Sequence, residues 1–192
     1  MFSFILILLA ALASLLSLPV GGSDFRVTAG IIVLIAGLLL NRNLKPLPTG
    51  IMTGFAVCLM RVLATAISGG EMDVLSYFLE VFFYLGYVLV YILVVLKDDD
   101  VYTMPLVIGL SLSDFGGNSL EYFARLILGY ESWQTTSLTT LLISALVRSV
   151  IIILVVYLAR PIFVKLGKEP SDPLAQDAAL LGLGRTSADN KK

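Results

Sequence analysis

Long apolar stretches, separated by short clusters of Gly, Pro and charge, run through most of the chain. A helix needs about 20 apolar residues to cross a ~30 Å bilayer core. Six stretches reach or approach that length: residues 2–20, 27–40, 47–68, 74–96, 101–128 and 136–159. Their boundaries carry the expected breakers. Pro19 and Gly21-Gly22 close the first, Pro46 and Pro48 open the third, and Gly69-Gly70 closes it. Lys97 and three aspartates end the fourth, and Arg160 with Pro161 follows the sixth. The second is short for a span, so it tilts, starts at Phe25, or is partly re-entrant. The pattern predicts an all-α polytopic membrane bundle of about six transmembrane helices over residues 1–168. Beyond it, residues 169–192 are rich in Asp, Pro, Ser, Ala and Gly. That composition predicts a cytoplasmic, mostly disordered tail with room for a short surface helix over 173–183.

The first stretch lacks the positive leader and clear cleavage site of a signal peptide, so it reads as a retained span. Orientation follows from positive charge in short loops. With the N-terminus inside, cytoplasmic segments carry Arg42, Lys45, Lys97, Arg160, Lys165 and Lys168, against Arg26 on the other side, with Arg125 near the end of the fifth stretch. Both termini are therefore expected in the cytoplasm, in a bacterial plasma membrane. The outer loops are then 21–26, 69–73 and 129–135.

Composition agrees with the pattern. Hydrophobic residues make up 58% of the 192, charged residues only 14%, and mean hydropathy is +0.95. A soluble domain runs near a quarter charged. The formal net charge of −1 gives no reason to expect nucleic acid as a partner. Histidine is absent, which removes His metal ligands and His bases. The single cysteine, Cys58, sits in an apolar run and reads as a small buried hydrophobe. No nucleophile with a base, metal-ligand cluster or phosphate loop is evident, so neither an enzyme nor a cofactor is expected. Small residues four apart, Ala10 with Ser14, Ala13 with Ser17 and Gly50 with Gly54, read first as ordinary helix packing.

The chemistry lies in ionisable groups inside the apolar stretches. These are Arg61, Glu80, Asp114, Glu121, Arg125 and Arg148, three of each sign. A central Asp or Arg costs at least ~2.5–3.5 kcal/mol on insertion scales, so the group is expected to pair in the bundle interior. At ~1.5 Å per residue, Arg61, Asp114 and Arg148 come near the midplane, Glu80 and Glu121 lie further out, and Arg125 can snorkel. Asp114, Asn118, Glu121 and Arg125 are spaced by four, three and four, which puts them on one helical face. Gly116-Gly117 beside them can kink or unwind the helix. Two readings follow. Either Glu80, Asp114, Asn118, Glu121, Arg61 and Arg148 line an outward-open pocket for a small polar ligand, or they form an ion-pair network that fixes helix register. Tyr77, Tyr84, Tyr122 and Trp133 favour the pocket, whereas Tyr130 suits an interfacial belt. Glu121 is expected to line water and Asp114 to be a structural pair.

Taken together, Ser23-Asp24-Phe25-Arg26, Pro48-Thr49-Gly50 with Gly54 and Arg61, Asp114-Phe115-Gly116 with Asn118 and Glu121, and Arg148-Ser149 resemble a known pattern. It is that of the multispan sensor modules at the N-termini of certain bacterial histidine kinases. Those look like the substrate-binding S components of energy-coupling-factor (ECF) vitamin transporters. The resemblance covers about residues 1–168. It implies six helices, cytoplasmic termini and an outward-facing ligand site. A sensor kinase continues into a histidine-bearing dimerisation helix and an ATPase domain, which this sequence does not show. The expectation is a stand-alone relative, a truncated product or a transport subunit. Its partners would be the lipid bilayer, a small extracellular molecule, and a cytoplasmic kinase or regulator. As an S component it would instead need a transporter energising subunit. A structural or assembly protein is the third alternative.

Overall fold

The computed structural model describes residues 2–19, 26–96, 104–130 and 137–167. Six α-helices dominate them: α1 (Phe2–Ala13), α2 (Ala29–Leu40), α3 (Pro46–Ser68), α4 (Val74–Val90), α5 (Leu106–Ile127) and α6 (Leu138–Lys165). A π-helical turn, Tyr91–Val95, extends α4. Two three-residue strands, β1 (Ser17–Pro19) and β2 (Arg26–Thr28), pair antiparallel between α1 and α2. The expected tail, the three aspartates and Trp133 lie outside the described residues.

Among the described residues, three helices are long and apolar enough to cross a membrane: Pro46–Ser68, Val74–Val95 and Leu138–Lys165. Large apolar side chains such as Leu59, Leu93, Ile127, Leu154 and Leu158 are exposed around the bundle, as lipid-facing residues require. α1 and α2 are apolar but only 12 residues each, roughly 18 Å.

The first stretch is not one helix over 2–20. α1 stops at Ala13 because the chain tightens into i→i−3 bonds, Leu15 N to Leu12 O and Leu16 N to Ala13 O. The Ser14 hydroxyl donates back to Ala11 O at 2.6 Å. Pro19 then disfavours helix at Leu18, and the segment pairs with residues 26–28 instead. The fifth helix begins at Leu106, not 101: Pro105 occupies its N-cap with extended ψ, and Pro cannot supply an interior N–H. The sixth runs past the expected stop at 159, through Pro161 to Lys165. Pro161 removes one hydrogen bond near an exposed helix end, where that loss is tolerated.

Neighbouring helices alternate in direction. Gly37 packs on Leu6, while Gly30 packs on Ala10 and Ser14, so α1 and α2 are antiparallel. Gly50 meets Val88 and Gly54 meets Val81 and Tyr84, which sets α3 against α4. The Phe2 and Phe163 rings meet edge-on, centroids 5.8 Å apart, so the start of α1 and the end of α6 share one end of the bundle. α2 is apolar on all sides and buries nine of its 12 residues, the pattern of a central helix.

Glycines set the tightest seam. A Cβ on Gly86 would stand 2.8 Å from Gly116 O, and one on Gly117 2.8 Å from Phe83 O. Gly116-Gly117 thus neither kinks nor unwinds α5, which is continuous; it lets the α4 and α5 backbones touch.

Candidate functional site

The core changes character along the bundle. Near the end shared by Phe2 and Phe163, it is built from Leu34, Leu38, Val88, Leu106, Leu110, Ile152 and Val156. Toward the other end, α5 turns inward Ser113, Asp114, Gly117, Asn118, Glu121 and Arg125, and α6 turns inward Ser144, Ala145, Arg148 and Ser149. The α5 stripe is the single face that the spacing predicts.

Every ionisable group of this region is paired. Arg148 Nη1 donates to Asp114 Oδ1, joining α6 to α5, and both side chains are at most 2% exposed. Asn118 Nδ2 donates to the other Asp114 oxygen at 3.0 Å and to the Asp114 carbonyl at 2.9 Å. The Arg148 guanidinium also lies over the Phe83 ring, 5.3 Å from its centroid. Asp114 is thereby held on both oxygens.

Further out, Glu121 Oε1 accepts from Arg125 Nε at 2.9 Å and Nη2 at 2.6 Å. Arg125 reaches across to α4, where Nη1 donates to Ser76 Oγ and Nη2 to Ser76 O. Its guanidinium stacks on Tyr130, whose hydroxyl donates to Asp73, the N-cap of α4. Arg125 is therefore buried in a clasp between α4 and α5 and does not snorkel. Tyr130 belongs to the same clasp rather than to an interfacial belt alone. Glu121, expected to line water, is 6% exposed and held by Arg125.

Arg61 and Glu80 form the third pair, at 3.0 Å between α3 and α4. With side chains 14% and 20% exposed, it is the most open of the three. One turn further out, Thr65 and Tyr77 hydroxyls meet at 2.9 Å. α3 buries nothing beyond Val57, so these polar ties hold its outer part to α4. Cys58, beside this region, is half-buried rather than buried.

The six candidate residues thus fall into three groups. Asp114, Asn118 and Arg148 form one unit at mid-bundle. Arg61 pairs with Glu80, and Glu121 pairs with Arg125, which is outside the six; Arg61, Glu80 and Glu121 lie roughly 10 Å from the other helix ends. Tyr122, taken from the sequence as a pocket aromatic, is 44% exposed on the outer surface of α5 and lines nothing inside.

Sequence reasoning took Tyr84 as a pocket aromatic but missed the neutral polar groups beside it, Tyr87, Tyr91 and Ser144. Tyr84, Tyr87 and Tyr91 follow one another on α4 at spacings of three and four, all essentially fully buried. Tyr87 lies within electrostatic reach of Asp114 and Arg148, and Tyr84 within reach of Arg148, Arg61 and Glu80. The Tyr87 hydroxyl has no hydrogen-bond partner, and the Tyr84 hydroxyl approaches Thr28 without a well-formed bond. Ser144, one turn beyond Arg148 on the same stripe, also has an unpartnered hydroxyl. Other buried hydroxyls on these helices bond their own backbone: Ser113 to Gly109 O at 2.8 Å, Ser149 to Ala145 O at 2.7 Å, Thr53 to Thr49 O at 2.8 Å. Ser144 departs from that local solution. The visible signal was the i, i+3, i+7 tyrosine spacing.

No protein-family model, curated protein or solved structure matches this chain.

Proposed function

We propose that this chain is a receptor-like membrane module that takes up a small extracellular molecule in its polar interior and passes its bound state to a cytoplasmic partner. The carrying observation is the buried, unpartnered hydroxyls of Tyr87, within electrostatic reach of the Asp114–Arg148 pair, and of Ser144, one turn from Arg148 on the buried face of α6. A buried polar group without a partner costs ~1–3 kcal/mol, and a guest that bonds these hydroxyls would recover that cost. In this reading Asp114, Asn118 and Arg148 are the rigid frame and the hydroxyls hold the guest. Arg61 and Glu80 flank the approach, where the interior is least sealed.

The topology that goes with it has six crossings and both termini in the cytoplasm. Support comes from the alternating helices, the Phe2–Phe163 contact and the position of Arg42, Lys45, Arg160 and Lys165 toward that same end. The kinship with sensor modules and ECF S components belongs to the same proposal. Between the two, one observation weighs against a transport subunit that docks through small residues on its first helix. Ala10 and Ser14 are fully buried against Gly30 of α2 and present no free face. The alternative of a purely structural protein accounts for the three ion pairs but not for the open hydroxyls.

The test is native mass spectrometry of the protein released from its membrane in mild detergent. The proposal expects a non-lipid adduct on the parent protein that is absent from a Tyr87→Phe/Ser144→Ala double variant. A parent with no adduct, or an adduct retained by a folded double variant, counts against it.

A further inference from the structure

We infer that the molecule taken by this interior site is uncharged and recognised by hydrogen bonds alone; the inference rests on the reading that the site binds a small ligand. The charge inventory carries it. Each carboxylate near the site is held by a cation of the protein itself: Asp114 by Arg148, Glu121 by Arg125, Glu80 by Arg61. Asp114 is further held by Asn118, and Arg125 by Ser76 and Tyr130. Among the described residues these buried pairs balance three against three, so they leave no net charge with which to neutralise an ionic guest.

Apart from the Nε–H of Arg61, whose charge Glu80 already neutralises, what the site offers is neutral. Each of the Tyr84, Tyr87 and Ser144 hydroxyls can donate one hydrogen bond and accept others. All three side chains are at least nine-tenths buried. An ion placed among them would lose its hydration without gaining a counter-charge, or would have to break a buried pair to obtain one. An amide, carbonyl, hydroxyl or other uncharged polar group meets neither penalty. Phe83, already covered on one side by Arg148, and the tyrosine rings supply the apolar walls.

The experiment uses size-matched thiol reagents as probes of what the site admits. Ser144→Cys, a near-isosteric change, is placed in a Cys58→Ala background and reconstituted in nanodiscs, with Ser68→Cys on the exposed end of α3 as control. Three methanethiosulfonates are compared: 2-hydroxyethyl, 2-sulfonatoethyl and 2-(trimethylammonio)ethyl. Dividing each rate by the control rate removes the reagents' intrinsic differences. Comparing reagents at one position removes the reactivity of that thiol.

The neutral reagent is expected to exceed both charged ones at Ser144→Cys by about 100-fold, the size of a few-kcal/mol ion-burial penalty. A charged reagent within about tenfold of the neutral one overturns the inference and leaves the binding site standing. If no reagent modifies Ser144→Cys while Ser68→Cys reacts, the interior is closed to small solutes, and the ligand-binding reading falls together with the inference. Tyr87→Cys, read in the same way, replaces Ser144→Cys should the latter not give a monodisperse protein.

Discussion

Asp114→Asn removes one charge from a pair that is at most 2% exposed on either side. The substituted amide keeps the size of the carboxyl, and Asn118 can still donate to its oxygen. Arg148 keeps its full charge and its stacking on Phe83, with Glu121, already held by Arg125, as another carboxylate within electrostatic reach. Breaking one partner of a buried pair costs ~3–5 kcal/mol, because the remaining ion stays out of water. Replacing both partners by apolar residues of similar volume is often neutral or stabilising. The double variant Asp114→Leu/Arg148→Met should therefore be more stable than either Asp114→Asn or Arg148→Met alone. Its loss should be well under half the sum of the two single losses. Equilibrium unfolding by a denaturing detergent, titrated into a fixed mild micelle, gives the three free energies on one scale. Asp114→Asn costing less than about 1 kcal/mol would show that Arg148 reaches water when unpaired. Single losses that simply add in the double variant would show that the two side chains do not act as a pair.

Three further outcomes follow from the geometry. Glu121→Gln should cost roughly 1–3 kcal/mol in the same unfolding assay, since it weakens two charge-assisted bonds from a buried Arg125; an unchanged free energy would return Glu121 to a solvated setting. Gly117→Ala should cost about 1–3 kcal/mol, because its Cβ would press on the Phe83 carbonyl at 2.8 Å and force α4 and α5 apart; parental stability would mean that the seam is looser than described. In a Cys58→Ala background, an impermeant thiol reagent should label Ser68→Cys in intact cells and spare Asn43→Cys until the membrane is opened, and the reverse pattern would invert the orientation.

Apolar run length located α3 and α4 to within a residue or two, because Pro46, Gly69 and Asp73 are local signals that act where they stand. It failed at residues 14–19. There Leu15, Leu16 and Leu18 are as apolar as a helix needs, and only the turn at Ser14 and the constraint of Pro19 choose a strand. Pairing partners were legible only in part. The balance of three against three was plain, as was the common face of Asp114, Asn118, Glu121 and Arg125. That Glu121 takes Arg125, four residues on in its own helix, follows from spacing known in advance. That Arg61 takes Glu80 and Arg148 takes Asp114 depends on which helices are neighbours, and no single-helix period encodes that. The Gly116-Gly117 pair read as a kink or an unwinding, and it is Gly86 on the facing helix that makes it a close approach instead. Of the tyrosine column only Tyr84 was read, as a pocket aromatic; Tyr87 and Tyr91 went unread because attention to charge passes over neutral hydroxyls.

An experimental structure of the protein in a nanodisc, at a resolution that shows ordered water, bears most directly on the central claim. The hydroxyls of Tyr87 and Ser144 are predicted to contact density that belongs to no residue of the chain, beside an intact Asp114–Arg148 pair. Hydroxyls that bond only to protein atoms, with no such density between them, would contradict it.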